Sequence, residues 1–258
     1  MARAFVEISV LTPGVSLFIL AHPDDEVLFW PLIARCSAEK LAILYVTDGS
    51  AGGAFLPETR ARETRSMLAA LGVNPAVATF LGQERNLPDG TLYRNVDAAW
   101  AAISSWAENA GPISRIYTHA WEGGHQDHDI CHVLSLALGR TSSTECVEQV
   151  ACYRRPDSGI APYSVFDPIK ANGLLKSLTM TTSEKRAMAG CILRYPSQWK
   201  SWVGLGPPLL TRLAMASQFP LQPVSLSRLT ERPHPSKLLY EARGGPSFEA
   251  MQQAISRF

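Results

Sequence analysis

Apolar residues in this chain fall into short unbroken runs, separated by longer stretches with helical spacing. VSLFILA (15–21) is a continuous apolar run of strand length, the pattern of a strand buried on both faces. EVLFWPLIARC (26–36) reads as a helix that Asp24 or Asp25 can N-cap, with Pro31 placed to bend it. LAILYVT (41–47) is a second buried strand. PETRARETRSMLAALG (57–72) is a helix with Pro57 near its start and Gly72 past its end. The same reading predicts strands at AVATFL (76–81), SRIYTHA (114–120) and EQVACYR (148–154), and helices at RNVDAAWAAISSWAEN (94–109) and DHDICHVLSLALGR (127–140). Strands alternating with helices predict an α/β, Rossmann-like fold: a mostly parallel sheet with helices on both faces.

After residue 155 the rhythm breaks. Prolines and serines become frequent, and SEKRAMAGCILR (183–194) is the one firm helix. No linker, repeat or low-complexity tract interrupts the chain, so residues 1–258 read as a single domain with its core over 15–155.

Composition narrows the function. Apolar residues make up 46% and charged residues 18%, which suits a globular protein. A net charge of +1 offers no electrostatic case for nucleic acid or for an anionic membrane surface. Five scattered cysteines without a C-x-x-C pair read as reduced thiols of a cytoplasmic protein. The start of the chain does not read as a signal peptide, because Glu7 and Pro13 interrupt its apolar stretch. No stretch has the length of a membrane span.

The chemistry lies in three polar clusters. Each follows a predicted strand, so all fall on the carboxyl edge of the sheet, where open parallel sheets bind ligands. HPDDE (22–26) follows the first strand, TDGSAGG (47–53) the second and WEGGHQDH (121–128) the fourth. His22 and Asp25, three apart at a strand-to-helix turn, can reach one point, and Asp24 can aim elsewhere. His125 and His128 repeat that spacing, with His132 one turn on. A catalytic zinc takes three protein ligands and leaves a position for water. His22, Asp25 and one histidine of the second cluster meet that count, and Asp24 is the natural general base beside it. TDGSAGG is not a G-x-G-x-x-G fingerprint, which argues against a nucleotide-dependent transferase. Trp199, Trp202 and Tyr195 are candidates to line a pocket for a sugar or lipid, although core and rim packing is the commoner use of such residues.

AHPDDE together with GGHQDH resembles the PIG-L or LmbE-like deacetylases, and VTDGSAGG, RARETRSMLAALGV and EKRAMAGCILRYPSQ extend the similarity over about residues 15–200. The resemblance implies an LmbE-like fold in which 156–258 completes the substrate side. It implies one zinc per chain, or iron in the cell, held by His22, Asp25 and His128. Asp24 would be the general base. His125 would assist as an acid or by stabilising the oxyanion, Asp127 would orient or tune a histidine, and Arg60 would lie near the substrate. The implied reaction removes an N-acetyl group from a small-molecule amino sugar or glycoconjugate and releases acetate. Homo-oligomerisation is left open.

Three positions depart from the family pattern, one of them Gln126, where a proline often follows the first histidine of the second motif. Several members carry a tyrosine where this chain has Gly123. Many have an aspartate after the third strand, where this chain reads GQERNLPDG and Asp89 is the candidate replacement. Two rival readings stay open: an amidase acting on a non-sugar amide or longer acyl group, and a catalytically silent metal-containing protein that binds a glycan or a partner.

Overall fold

The computed structural model describes residues 14–36, 40–51, 53, 56–144, 146–157 and 161–258. The leader question raised by residues 1–13 lies outside them. Strands β1 (Val15–Leu20), β2 (Leu41–Tyr45), β3 (Ala78–Thr79), β4 (Ile113–His119) and β5 (Val147–Val150) form the parallel part of the sheet. Two later strands, β8 (Lys176–Thr179) and β9 (Gln218–Pro223), join it antiparallel. The order across the seven strands is β3-β2-β1-β4-β5-β9-β8. A separate ribbon pairs β6 (Tyr153–Arg154) with β7 (Ser164–Val165).

The unbroken apolar run of β1 follows from its central position. Phe18 and Leu20 face one core and Leu17 and Ile19 the other, all fully buried. The first core packs against α1 (Glu26–Ile33), α2 (Leu56–Ala70), α6 (Thr182–Cys191) and α7 (Trp199–Met215). The second packs against α4 (Val96–Asn109), α5 (Gln126–Thr141) and α9 (Phe248–Ile255). The short helices α3 (Leu81–Arg85) and α8 (Leu239–Ala242) fill its edges.

The α/β, mostly parallel architecture is as the sequence predicts, and the differences have local causes. AVATFL gives only the two residues of β3 before the chain turns into α3. EQVACYR divides, because Tyr153 leaves the main sheet to pair with Val165. Residues 156–258 hold a second long helix, α7, which GLGPP disguises: glycine and proline are the residues that normally end a helix. Prolines likewise hide β9, QFPLQP.

The chain leaves β1 toward β2 and β3, and later adds β4 and β5 on the opposite side. The crevice at that switch opens at the carboxyl ends of β1 and β4. His22 follows β1, and the loop after β4 carries His125 and His128.

Candidate active site

His22–Glu26 is a tight turn from β1 into α1. The Asp25 carboxylate does not cap the helix; its Oδ2 accepts the His22 N–H at 2.7 Å. Asp24 has φ 128°, where an L-residue is strained, so the turn aims consecutive carboxylates in different directions. The turn is held by Glu26, whose Oε2 accepts the Asp24 N–H at 2.9 Å while Oε1 accepts the Tyr195 hydroxyl. Burial pushes the Glu26 carboxyl up to about 7.

Asp25 stands between the two expected histidine ligands and meets each through a different oxygen. Asp25 Oδ2 lies 3.3 Å from His22 Nδ1, and Asp25 Oδ1 lies 3.2 Å from His128 Nε2. Donors at bond lengths of ~2.0–2.1 Å around a tetrahedral ion stand about that far apart. His128 is fully buried; its Nδ1 has no hydrogen-bond partner, its Nε2 meets the Asp25 carboxylate, and burial pushes its imidazole down to about 4. A neutral buried imidazole has the donor chemistry of a metal ligand, and a buried nitrogen left unpaired is otherwise costly. Charge points the same way. Asp24, Asp25, Asp89 and Asp127 crowd round His22 with one guanidinium, Arg60, among them. A divalent cation fits that excess of negative charge.

Other groupings share parts of this set. His22, His125 and His128 each bring one nitrogen within 4.8 Å of the others, so His125 competes with Asp25 for the third place. His119, His128 and Cys152 are equally close, but the His119 and His128 rings stack at 3.7 Å with planes 13° apart. In-plane lone pairs on parallel rings do not converge on one ion.

Asp127 ties the site together. Its Oδ2 sits 3.3 Å from His22 Nε2 and accepts the Gly90 N–H at 2.6 Å, and its Oδ1 accepts the Leu92 N–H at 3.0 Å. It therefore locks the 88–92 loop to the start of α5 and brings Asp89 into the site. Asp89 Oδ1 lies 3.1 Å from His22 Nε2. Although burial alone would raise it, His22 and Arg60 hold the Asp89 carboxyl well below its usual range. His125 Nδ1 accepts the Asp127 N–H at 3.2 Å. In the neutral ring the proton is therefore on Nε2. Burial favours that neutral ring, lowering His125 to about 4.

Arg60 lines the pocket, but protein groups occupy its donors. Nη2 donates to Asp24 Oδ1 at 2.8 Å and Nη1 to Asp89 Oδ2 at 3.0 Å. Nε donates to the Pro23 carbonyl and Nη1 also to that of Gly49. Burial lifts the Asp24 carboxyl to about 6, against the pull of Arg60.

Gly123 and Gly124 explain the missing tyrosine. Gly123 has φ 66°, and a Cβ there would stand 2.5 Å from Leu238 Cδ2. A Cβ on Gly124 would stand 2.0 Å from the Tyr153 carbonyl oxygen. A side chain is strained at Gly123 by its positive φ and blocked at Gly124 by backbone. Instead Tyr153 lines the pocket with its ring 5.3 Å from that of His128.

The pocket holds about 200 Å³. His22, Asp24, Asp25, Asp89 and His125 form its floor, and Tyr153, Tyr163, Trp202, Leu205 and Arg243 its outer wall. Of the aromatic residues named from sequence, Trp202 alone lines it: Trp199 is exposed and Tyr195 is buried against Glu26. His119, Tyr153, Tyr163 and Arg243 carried no motif. The only sequence signal was His119 ending a strand at the polar edge.

Residues 17–138 match the family model described as PIG-L, GlcNAc-PI de-N-acetylase. Over that stretch, just under half of its 258 residues, the chain is similar to the PIG-L family. The PIG-L match contains every predicted site residue from His22 to His128 and none of the outer wall. Solved structures of the same fold include a triple-mutant deacetylase of the teicoplanin biosynthetic pathway, 17% identical with a TM-score of 0.61, covering 82% of this chain and 98% of that one. A zinc-inhibited form of the teicoplanin deacetylase Orf2 is 13% identical, with a TM-score of 0.59 and the same coverages, 82% and 98%. The A40926 pseudoaglycone deacetylase Dbv21 is 16% identical with a TM-score of 0.57, covering 87% of this chain and 100% of that one. No curated protein sequence matches the chain. Among the described residues no helix is long and apolar enough to cross a membrane.

Proposed function

We propose that this protein is a metal-dependent hydrolase that removes the N-acetyl group from an N-acetylglucosamine-type glycoconjugate and releases acetate. The observation that carries the reading is the contact of Asp25 with both His22 and His128, with Asp24 beside them, in the part of the chain that matches the PIG-L model. His22, Asp25 and His128 would hold one zinc ion; iron(II) suits the same donors. The chemistry supplied by a bound ion is Lewis acidity, which polarises the amide carbonyl and makes water a stronger acid.

The residues divide the remaining work. Asp24, fixed by Arg60, takes a proton from the attacking water as its oxygen bonds to the acetyl carbon. His125 Nε2–H donates to the developing oxyanion, with its tautomer set by the Asp127 N–H. The carbon–nitrogen bond then breaks. Asp24 returns the proton to the leaving nitrogen, and acetate and a free amine result. Asp127 keeps His22 oriented through Nε2, as an outer partner of a metal-bound histidine does. Residues 156–258 act within the same single domain as the substrate wall, a role supported by Tyr163, Trp202 and Arg243 in the pocket. Five free thiols among the described residues support a cytoplasmic setting.

Acetate release from N-acetylglucosaminides is expected from zinc-loaded protein, lost on chelation and restored by zinc. No release from any sugar with zinc bound would sink the reading. The apolar lining by Leu28, Trp202 and Leu205 favours a second reading, hydrolysis of longer N-acyl groups, which an acyl-length series separates.

The ligand set has its own test. His128→Ala is expected to lose both zinc and turnover. His125→Ala is expected to keep zinc and lose about 10²–10³ in kcat, the usual loss on removing an oxyanion donor. Metal analysis of the two variants decides: zinc lost from His125→Ala would replace Asp25 by His125 in the ligand set.

A further inference from the structure

The balanced charge of the whole chain hides an uneven distribution. Residues 168–230, about a quarter of the sequence, hold eight Lys or Arg and one acid, Glu184. Glu184 is paired with Arg35 at 2.6 Å. Lys176 pairs with Glu148 at 3.0 Å and Arg228 with Glu231. The other six bases have no carboxylate partner among the described residues.

Exposed apolar surface gathers in the same stretch. Among the described residues, every large hydrophobic side chain with strong exposure lies there, from Leu174 to Leu226. The densest run is on α7. Trp199, Val203 and Leu210 are 60%, 67% and 45% exposed. At ~100° per residue they share one narrow stripe, with Pro207 and Ala214 continuing it. Trp202, Leu205, Leu209 and Leu213 occupy a second face of the helix, which packs into the core. A surface helix of a freely soluble protein would carry polar residues on its outer side. Lys200 flanks the stripe, and Leu193 and Arg194 stand exposed just before the helix.

We propose that α7 and the basic stretch around it dock this protein on an anionic lipid surface, with the helix lying in the plane of the interface. The exposed Trp–Val–Leu stripe bordered by Lys and Arg is what an interfacial helix presents to headgroups and acyl chains. A second copy of the chain is a poorer occupant: a two-fold contact through this face would set its unpaired cations against their own copies. The same helix gives Ser201, Trp202 and Leu205 to the pocket, so the lipid surface would lie about one helix diameter, ~10–12 Å, from the site. The inference stands apart from the chemistry proposed above, since it needs neither metal nor turnover.

The test is co-sedimentation of metal-stripped and zinc-loaded protein with phosphatidylcholine vesicles, alone or with about 30% phosphatidylserine. Binding to the anionic vesicles is expected to be at least ~10-fold tighter than to phosphatidylcholine alone and to weaken with added salt. The variant Trp199→Ser/Val203→Ser/Leu210→Ser is expected to bind ~100-fold more weakly, with an unchanged thermal melt and unchanged turnover of a water-soluble substrate. Lys200→Glu/Arg194→Glu tests the charge alone and is expected to abolish the preference for phosphatidylserine. Absent binding, or binding that survives the triple substitution, overturns the proposal. So does a lipid-free dimer in sedimentation velocity that the triple substitution dissolves, which would assign the stripe to a second copy. Vesicle binding by a protein that releases no acetate would leave this inference in place and remove the deacetylase reading.

Discussion

Asp24→Asn lowers kcat for amide hydrolysis by about 10³-fold while the zinc content per chain stays that of the parent protein; removal of a positioned general base typically costs 10²–10⁴. Asparagine is the informative replacement. Asp24 sits at φ 128°, and asparagine tolerates positive φ better than alanine does. Its amide oxygen can still accept the Arg60 Nη2–H that Asp24 Oδ1 accepts at 2.8 Å. The substitution therefore removes basicity and charge while preserving the turn that delivers His22 and Asp25. Steady-state kinetics on a zinc-loaded sample, with metal measured by mass spectrometry, gives both numbers. Near-parental turnover at full occupancy would end the general-base assignment, and lost zinc would show Asp24 to belong to the ligand set.

Arg60→Met is expected to lower the unfolding free energy of metal-stripped protein by about 3–5 kcal/mol, the range for removing one partner of a buried ion pair. Arg60 is almost wholly buried and donates to two carboxylates and two carbonyls. Methionine keeps much of the stem's packing but leaves Asp24 without its guanidinium partner and Asp89 with His22 alone. Urea denaturation measures the loss, and a value below about 1 kcal/mol would show that solvent compensates the carboxylates. Adding Asp89→Asn should recover part of the loss, because the two residues share one network. The double variant tests whether charge, rather than the missing donors, carries the effect.

The site was legible wherever its geometry is local. His22 and Asp25 meet because a strand-to-helix turn places residues three apart on one side, a property of adjacent backbone. His128 joins them because β4 lies beside β1 at the point where the strand order reverses, the arrangement expected of a doubly wound sheet. Asp127 could be nominated from the second motif but its partners could not: Gly90 and Leu92 are brought to it from 35–37 positions away in the chain. Asp89 illustrates the limit. The residue could be nominated from GQERNLPDG, but only the Asp127 and Asp48 hydrogen bonds to its loop carry it to His22.

Residues 156–258 were the least legible. In α7 the intrinsic preferences of glycine and proline oppose the helix, and packing of Trp202, Leu205, Leu209 and Leu213 into the core overrides them. In β9, prolines oppose a strand that pairs at Gln222 with Gln149 of β5 and at Phe219 with Leu178 of β8. Such elements exist because of what they touch, and a pattern of single residues does not contain that information.

By itself, then, the amino-acid order determined the alternation of buried strands and amphipathic helices, the edge of the sheet where polar clusters gather, and the histidines and carboxylates that meet there. These rest on periodicity and short spacing, which the backbone enforces locally. Tertiary structure alone decided the wall of the pocket, the insertion of Asp89, the full engagement of Arg60 and the outward turn of the Trp199 stripe. Each depends on segments far apart in the chain meeting in space, where burial and hydrogen-bond satisfaction outweigh local preference.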